Sequence, residues 1–268
     1  MLKDITLGQY FPGDTIVHRL DPRTKLILTI VYIAVTLIAN TLLGYILAFL
    51  WLAMTMALSH IRPKAVLKGL KPLIFIIVFT AVLNLFFTSG EDYLVHWRFI
   101  KITKTGLIHA VAMVVRVILL VSGTFLLTYT TSPLAITDGL ERLLSPLKKL
   151  KVPVYELTLM MSIALRFIPA LIEETDRIMS AQKARGADLE TGTLPERAKA
   201  LLPILIPLFI SAFRRAEELA TAMECRCYNG GQGRTTMKVL KLHGRDAVAF
   251  LLGGLLLAAV ILLRNIGL

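Results

Sequence analysis

Long uncharged apolar stretches alternate along the chain with short basic ones, and several have the length, about 20 residues, that a helix needs to cross the hydrocarbon core of a bilayer. Five crossings are predicted. Leu26 to Leu58 is long enough for two if the chain reverses near Asn40 to Gly44, where polar and flexible residues sit together. Pro72 to Thr88, Gly106 to Thr130 and Ala247 to Leu263 supply one each. Two further apolar runs, Leu157 to Ile172 with Arg166 and Pro169, and Leu201 to Phe213 with Pro203 and Pro207, each lead directly into a charged helical stretch and read as too short to span. If they did cross, they would do so as a pair and leave the sidedness of everything else unchanged.

Residues 131–245 separate the fourth crossing from the fifth. Pro133, Pro146, Pro153 and Pro195 punctuate this insertion, and the stretches between them place apolar residues at three- and four-residue spacing among Ala, Glu, Lys and Arg, the pattern of amphipathic helices. The predicted fold is all-α, a polytopic membrane protein with about five transmembrane helices. Its expected parts are an amino-terminal membrane part over 1–130, a helical region over 131–245 and a last transmembrane helix over 246–268.

Composition agrees with that class: of 268 residues 56% are apolar and 18% charged, with a net charge of +12 and a mean hydropathy of +0.70. The placement of the charge gives orientation. With five crossings the amino terminus, the 59–71 loop and residues 131–245 share one face and hold 4, 4 and 17 of the 30 Lys and Arg residues, so that face is expected to be the cytoplasm. The connection near 89–105 is mixed, with Glu91, Asp92, Arg98, Lys101 and Lys104. A basic balance built around spanning runs is explained by this bias, and no nucleic-acid partner is expected. Cys225 and Cys227 are too close in sequence for an unstrained intrachain disulfide. No removable signal peptide is expected either, because the first 25 residues are polar and include Asp4, Asp14, Asp21 and Pro22.

An internal repeat lies in the insertion. Placing Arg185 on Arg226 aligns Glu173 to Gly186 with Arg214 to Cys227, and each copy joins an apolar half-helix to a charged continuation that ends in small residue, Arg, small residue. Two readings of Ala184-Arg185-Gly186 and Cys225-Arg226-Cys227 are open. Small neighbours let a helix end approach another protein closely while the planar guanidinium reaches into an acidic groove, or both are solvated arginines favoured by the macrodipole at helix carboxyl ends. Glu173-Glu174 lies opposite Arg214-Arg215 in the alignment, so crossing helices would pair them and fix register more than stability.

These residues resemble a known family. His18-Arg19-Leu20-Asp21-Pro22-Arg23-Thr24-Lys25-Leu26 is similar to the amino-terminal signature of the transmembrane T component of energy-coupling factor (ECF) transporters, the EcfT and CbiQ-like family. Leu165 to Pro169 and Ala181 to Asp188 resemble its long coupling helices, and the resemblance covers essentially the whole chain. It implies a non-catalytic subunit in which two crossing cytoplasmic helices dock, by Ala-Arg-Gly-like tips, in grooves of two ABC ATPases while the membrane part embraces a substrate-binding S component for vitamin or transition-metal uptake. Carried over by position, the tips are Ala184, Arg185 and Gly186, a full match, and Cys225, Arg226 and Cys227, which keeps the arginine and departs at its flanks. The resemblance further implies that the chain holds no cofactor of its own, ATP being bound by the partner ATPases.

Local readings stand beside the resemblance. Asp21 caps the first span, Pro22 fits its first turn, and Arg23 with Lys25 sits at headgroup level. Arg116 lies about 15 Å into the fourth span and is expected to face protein or water, in a packing contact or carbonyl pair rather than on a substrate pathway. His109 reads as interfacial. The five spans contain no Asp or Glu in their uncharged cores, which disfavours ion-coupled carriers, and the dispersed histidines offer no dense metal-ligand set. Gly230-Gly231-Gln232-Gly233-Arg234-Thr235 has Arg where a phosphate loop needs Lys and Tyr228 where its first Gly should stand, so it reads as a flexible exit from the second arm. A conventional ABC permease subunit with its own translocation path and a membrane-bound enzyme remain as rival readings.

Overall fold

The computed structural model describes residues 10–87, 93–97, 100–187, 193–230 and 240–266. Glu91, Asp92, Arg98, Asp188 and the Gly231 to Thr235 stretch lie outside them. Helices dominate the described residues in chain order: α1 (Pro22–Ile38), α2 (Leu42–Ser59), α3 (Pro63–Leu70), α4 (Ile74–Phe87), α5 (Lys104–Thr130), α6 (Pro133–Leu144), α7 (Val154–Ala184), α8 (Leu194–Cys225) and α9 (Gly244–Ile266). One turn of 3₁₀ helix at Lys71–Leu73 joins α3 to α4. A small antiparallel hairpin, β1 (Tyr93–Trp97) and β2 (Ile100–Thr103), precedes α5.

The chain divides into two compact units. One comprises residues 8–140 and 240–268 and is built on α1, which packs against α5 and α9. Glycines set those approaches: a Cβ on Gly123 would lie 2.4 Å from the Tyr32 ring, and one on Gly253 would lie 2.5 Å from Leu28. The core of this unit gathers Tyr32, Val35, Leu119, Leu126, Tyr129, Leu256 and Val260. The reversal between α1 and α2 falls at Ala39 to Thr41, where the Thr41 hydroxyl accepts from the Gly44 amide at 3.2 Å and starts α2. The other unit, residues 141–239, contains α7 and α8.

Among the described residues five helices are long and apolar enough to cross a membrane: α2, the continuous α3–α4 pair, α5, α7 and α9. This set differs from the sequence expectation in one member. With 17 residues and a length of about 26 Å, α1 is at the lower end of what spans the hydrocarbon core and is not among these five. By contrast α7 continues unbroken through Arg166 and Pro169 for 31 residues, so the apolar run Leu157 to Ile172, expected to be too short to span, belongs to one helix with the charged stretch that follows it. Of its residues only Val154 and Thr158 are buried within the chain.

Candidate partner-docking site

The two arginine tripeptides occupy equivalent helix ends. In α7, Arg185 is the C-cap and Gly186 follows with φ +85°. The Gly186 amide donates to the Lys183 carbonyl at 3.0 Å and the Ala187 amide to the Gln182 carbonyl at 3.0 Å, the paired bonds of a helix that terminates through one left-handed residue. At the end of α8, Arg226 is the C-cap and Cys227 has φ +57°. There the Cys227 amide donates to the Glu224 carbonyl at 2.9 Å and the Tyr228 amide to the Met223 carbonyl at 3.0 Å. The same turn is therefore made twice, once on glycine and once on cysteine, whose Cβ makes the left-handed conformation cost about 1–2 kcal/mol. Ala184, Arg185, Gly186, Cys225, Arg226 and Cys227 are all exposed, and nothing lies within 4 Å of where a Gly186 Cβ would stand. Each guanidinium thus projects from a stiff helix end with small residues on either side.

The helices bearing these ends pair with one another. Glu174 Oε2 accepts from Arg215 Nη2 at 3.4 Å, while Glu173 and Arg214 are exposed. A second contact lies further along, where Gln182 Nε2 donates to the Pro203 carbonyl at 3.3 Å. That carbonyl is free for a reason written in the chain: Pro207, four residues on, lacks the amide that would have taken it. Passing from 174 to 182 in α7 corresponds to passing from 215 back to 203 in α8, so the two run antiparallel. Glu174 and Arg215 are themselves equivalent positions of the repeat, which puts its local two-fold axis between them. The tips, 11 residues beyond each, accordingly point away from one another and stand about 30 Å apart along the pair.

The amino-terminal signature forms a separate cluster in the other unit. Asp21 Oδ1 accepts from the Arg23 amide at 2.9 Å and caps α1, with Pro22 in its first turn. The Asp21 amide in turn donates to Asp246 Oδ1 at 2.9 Å, and Asp246 Oδ2 accepts from the His243 amide at 2.8 Å, capping α9. Arg23 Nη2 reaches the Leu240 carbonyl at 3.2 Å, and Lys25 Nζ donates to the carbonyls of His18 and Thr130 at 3.1 and 2.9 Å. Pro22 also abuts α6, since a Cβ on Gly139 would lie 3.0 Å from its own Cβ. The segment Asp21-Pro22-Arg23 is thus a knot that fastens the starts of α1 and α9, with α6 laid against it.

Comparison with known proteins adds to this geometry. The family model for CbiQ, described as cobalt transport protein, matches residues 13–237. The chain belongs to this family. Among curated relatives, the energy-coupling factor transporter transmembrane protein EcfT of Clostridium kluyveri is 52% identical over 265 residues, 98% of each chain. That of Bacillus subtilis is 48% identical over 246 residues, 92% of this chain and 93% of its own. The protein of the same name from Lactococcus lactis is 47% identical over 247 residues, again 92% and 93%. This CbiQ-family chain is accordingly a multi-pass membrane protein and a transmembrane component of the ECF transporter class.

Two features of this family member escape a reading of the sequence. Asp246 is buried at 2% exposure and joins elements 225 positions apart, yet in the sequence it is a lone acid ahead of an apolar run. Gln182 reads as a solvated residue of a charged helix, and only the proline four residues beyond Pro203 marks an acceptor waiting for it. Arg116, placed in the sequence by depth alone, has explicit partners. The two N–H groups of Nη2 are shared among three acceptors, the Ala39 carbonyl at 2.9 Å, Asn40 Oδ1 at 2.9 Å and the Tyr45 hydroxyl at 2.7 Å. The carbonyl pairing among its two readings is the one observed, using an orphan acceptor at the end of α1.

Proposed function

We propose that the chain is the non-catalytic coupling scaffold of an ECF-type importer, carrying the ATP-driven motion of two ABC ATPases to a substrate-binding S component for vitamin or transition-metal uptake. The observation that carries this reading is the doubled helix terminus. Arg185 and Arg226 stand at identical left-handed turns, exposed, at opposite ends of one antiparallel helix pair. A separation of about 30 Å suits two partner grooves better than one. In this reading ATP is bound by the partners, the chain needs no cofactor, and the amino terminus and residues 131–245 face the cytoplasm, as the positive-inside bias expects.

The apolar faces of α7 and α8 support an S component or the membrane surface as the second contact. Leu202, Leu205, Ile206, Phe209 and Phe213 are exposed at spacings that share one side of α8, and Leu157, Met160 and Met161 are exposed on α7. A continuous helix pair carrying such faces and ending in charged tips is suited to transmit displacement as a rigid body.

Seating a guanidinium in an acidic groove contributes roughly 2–5 kcal/mol when the pair is buried. The test is copurification of the ATPases with the Arg185→Ala/Arg226→Ala double variant, together with substrate uptake. Loss of both is expected. Undiminished recovery with normal uptake rejects the docking assignment, and uptake by cells that express the chain and ATPases without an S component would instead favour a conventional permease.

A further inference from the structure

Between α1, α2, α5 and α9 lies a cavity of about 240 Å³ with apolar walls that include Leu28, Leu52, Leu126 and Leu252. It is confined to one end of the bundle, because its lining comes from Ile16, Val17 and Leu20 ahead of α1, the first turns of α1 and α9 and the last turns of α2 and α5. From Lys25 to Tyr32 it runs about 10 Å along α1. Met54 and Val248 on its lining are 49% and 59% exposed, so it opens at the surface of the bundle.

Two cations stand on its lining, and they differ. Lys25 is buried and its ammonium is engaged by the carbonyls of His18 and Thr130. Arg245 is exposed, in the first turn of α9, where the helix macrodipole disfavours a positive charge. The neighbouring acids do not answer it, since Asp246 is taken by the amides of Asp21 and His243 and Asp21 by that of Arg23. Among the described residues Arg245 has no carboxylate partner. A largely apolar cavity with an exposed, uncompensated guanidinium on its lining suits an amphiphilic anion.

We infer that this cavity is a binding site for one anionic phospholipid, its acyl chain between α1, α2, α5 and α9 and its phosphate on Arg245. The site lies on the side of the bundle that carries the chain's basic excess, the leaflet surface to which anionic lipids are drawn. It does not depend on how Arg185 and Arg226 dock.

The full-length chain, with the subunits that accompany it, is placed in nanodiscs of equal phosphatidylglycerol and phosphatidylcholine, and the lipid retained after release is counted by native mass spectrometry. One retained phosphatidylglycerol per chain is expected, with a preference over phosphatidylcholine of about five-fold from one surface cation. Arg245→Gln removes the preference, Arg245→Lys keeps it, and Ala249→Phe, which fills the cavity, abolishes retention of both lipids at unchanged helicity. Equal retention of the two lipids by the native chain overturns the inference. So does a preference that survives Arg245→Gln, or retention by a folded Ala249→Phe chain, and so does crosslinking of the Met54→Cys chain through that position to a partner polypeptide in place of lipid.

Discussion

Asp246 offers the sharpest check on the knot at the amino-terminal signature. Its carboxylate is 2% exposed and takes two backbone amides, one from Asp21 and one from His243, on separate oxygens. Hydrogen bonds to a charged group are each worth about 1.5–3 kcal/mol, so Asp246→Ala should cost about 3–6 kcal/mol and leave both amides without a partner in a place water reaches poorly. Asp246→Asn keeps one acceptor oxygen and turns an NH₂ toward the other amide, which predicts about half that loss. The assay is amide hydrogen exchange by mass spectrometry on peptides covering Asp21 and His243, with the Gly44 amide, capped by Thr41, as an internal control. Each 1.4 kcal/mol of local opening is tenfold in rate, so the Ala variant should exchange at the two sites about a hundredfold faster or more while Gly44 is unchanged. If both amides stay within threefold of the native rate, the carboxylate is not what fastens α1 to α9.

The doubled helix terminus predicts opposite responses at equivalent positions. Cys227→Gly should stabilise the end of α8 by about 1 kcal/mol and Gly186→Ala should destabilise the end of α7 by a similar amount, read as slower and faster exchange of the Tyr228 and Ala187 amides respectively. At the start of α8, Glu196 accepts from the Thr193 amide at 2.8 Å, and hydrogen bonds from the backbone and side chain of Thr193 hold its carboxyl below the ordinary value of 4.5. A depressed carboxyl stabilises the fold above its unfolded value. The protection of this helix start should therefore be constant at neutral pH, fall only as pH drops through the folded value, and lose that dependence in Glu196→Gln, as exchange of the Thr193 amide would report.

How much of the molecule is readable in the sequence depends on the range of the interaction. The turn at Ala39 to Thr41 is legible because it is local, a cluster of polar and small residues between two apolar runs. The pairing of Glu174 with Arg215 is legible because the repeat by itself brings the two positions into one register. The extent of α7 is not, since counting apolar residues ends the run at Ile172 whereas the helix continues through the charged stretch to Ala184. The knot of Asp21, Arg23, Leu240 and Asp246 lies further out of reach. Nothing near Asp246 in the sequence says which amide it will find, and that choice is made only when α1 and α9 pack. The hairpin before α5 is likewise hidden in a short connection that composition alone marks as mixed.

The opposite charges at positions 174 and 215 bear on assembly. An arm descended by duplication has, at its centre, a surface suited to its own copy, and an unmodified copy would allow arms from two molecules to exchange. With glutamate on one arm and arginine on the other, like arms from neighbouring molecules would bring acid against acid or base against base. The divergence thus favours the pairing of unlike arms, α7 with α8, over the pairing of like arms from polypeptides crowded in the same membrane.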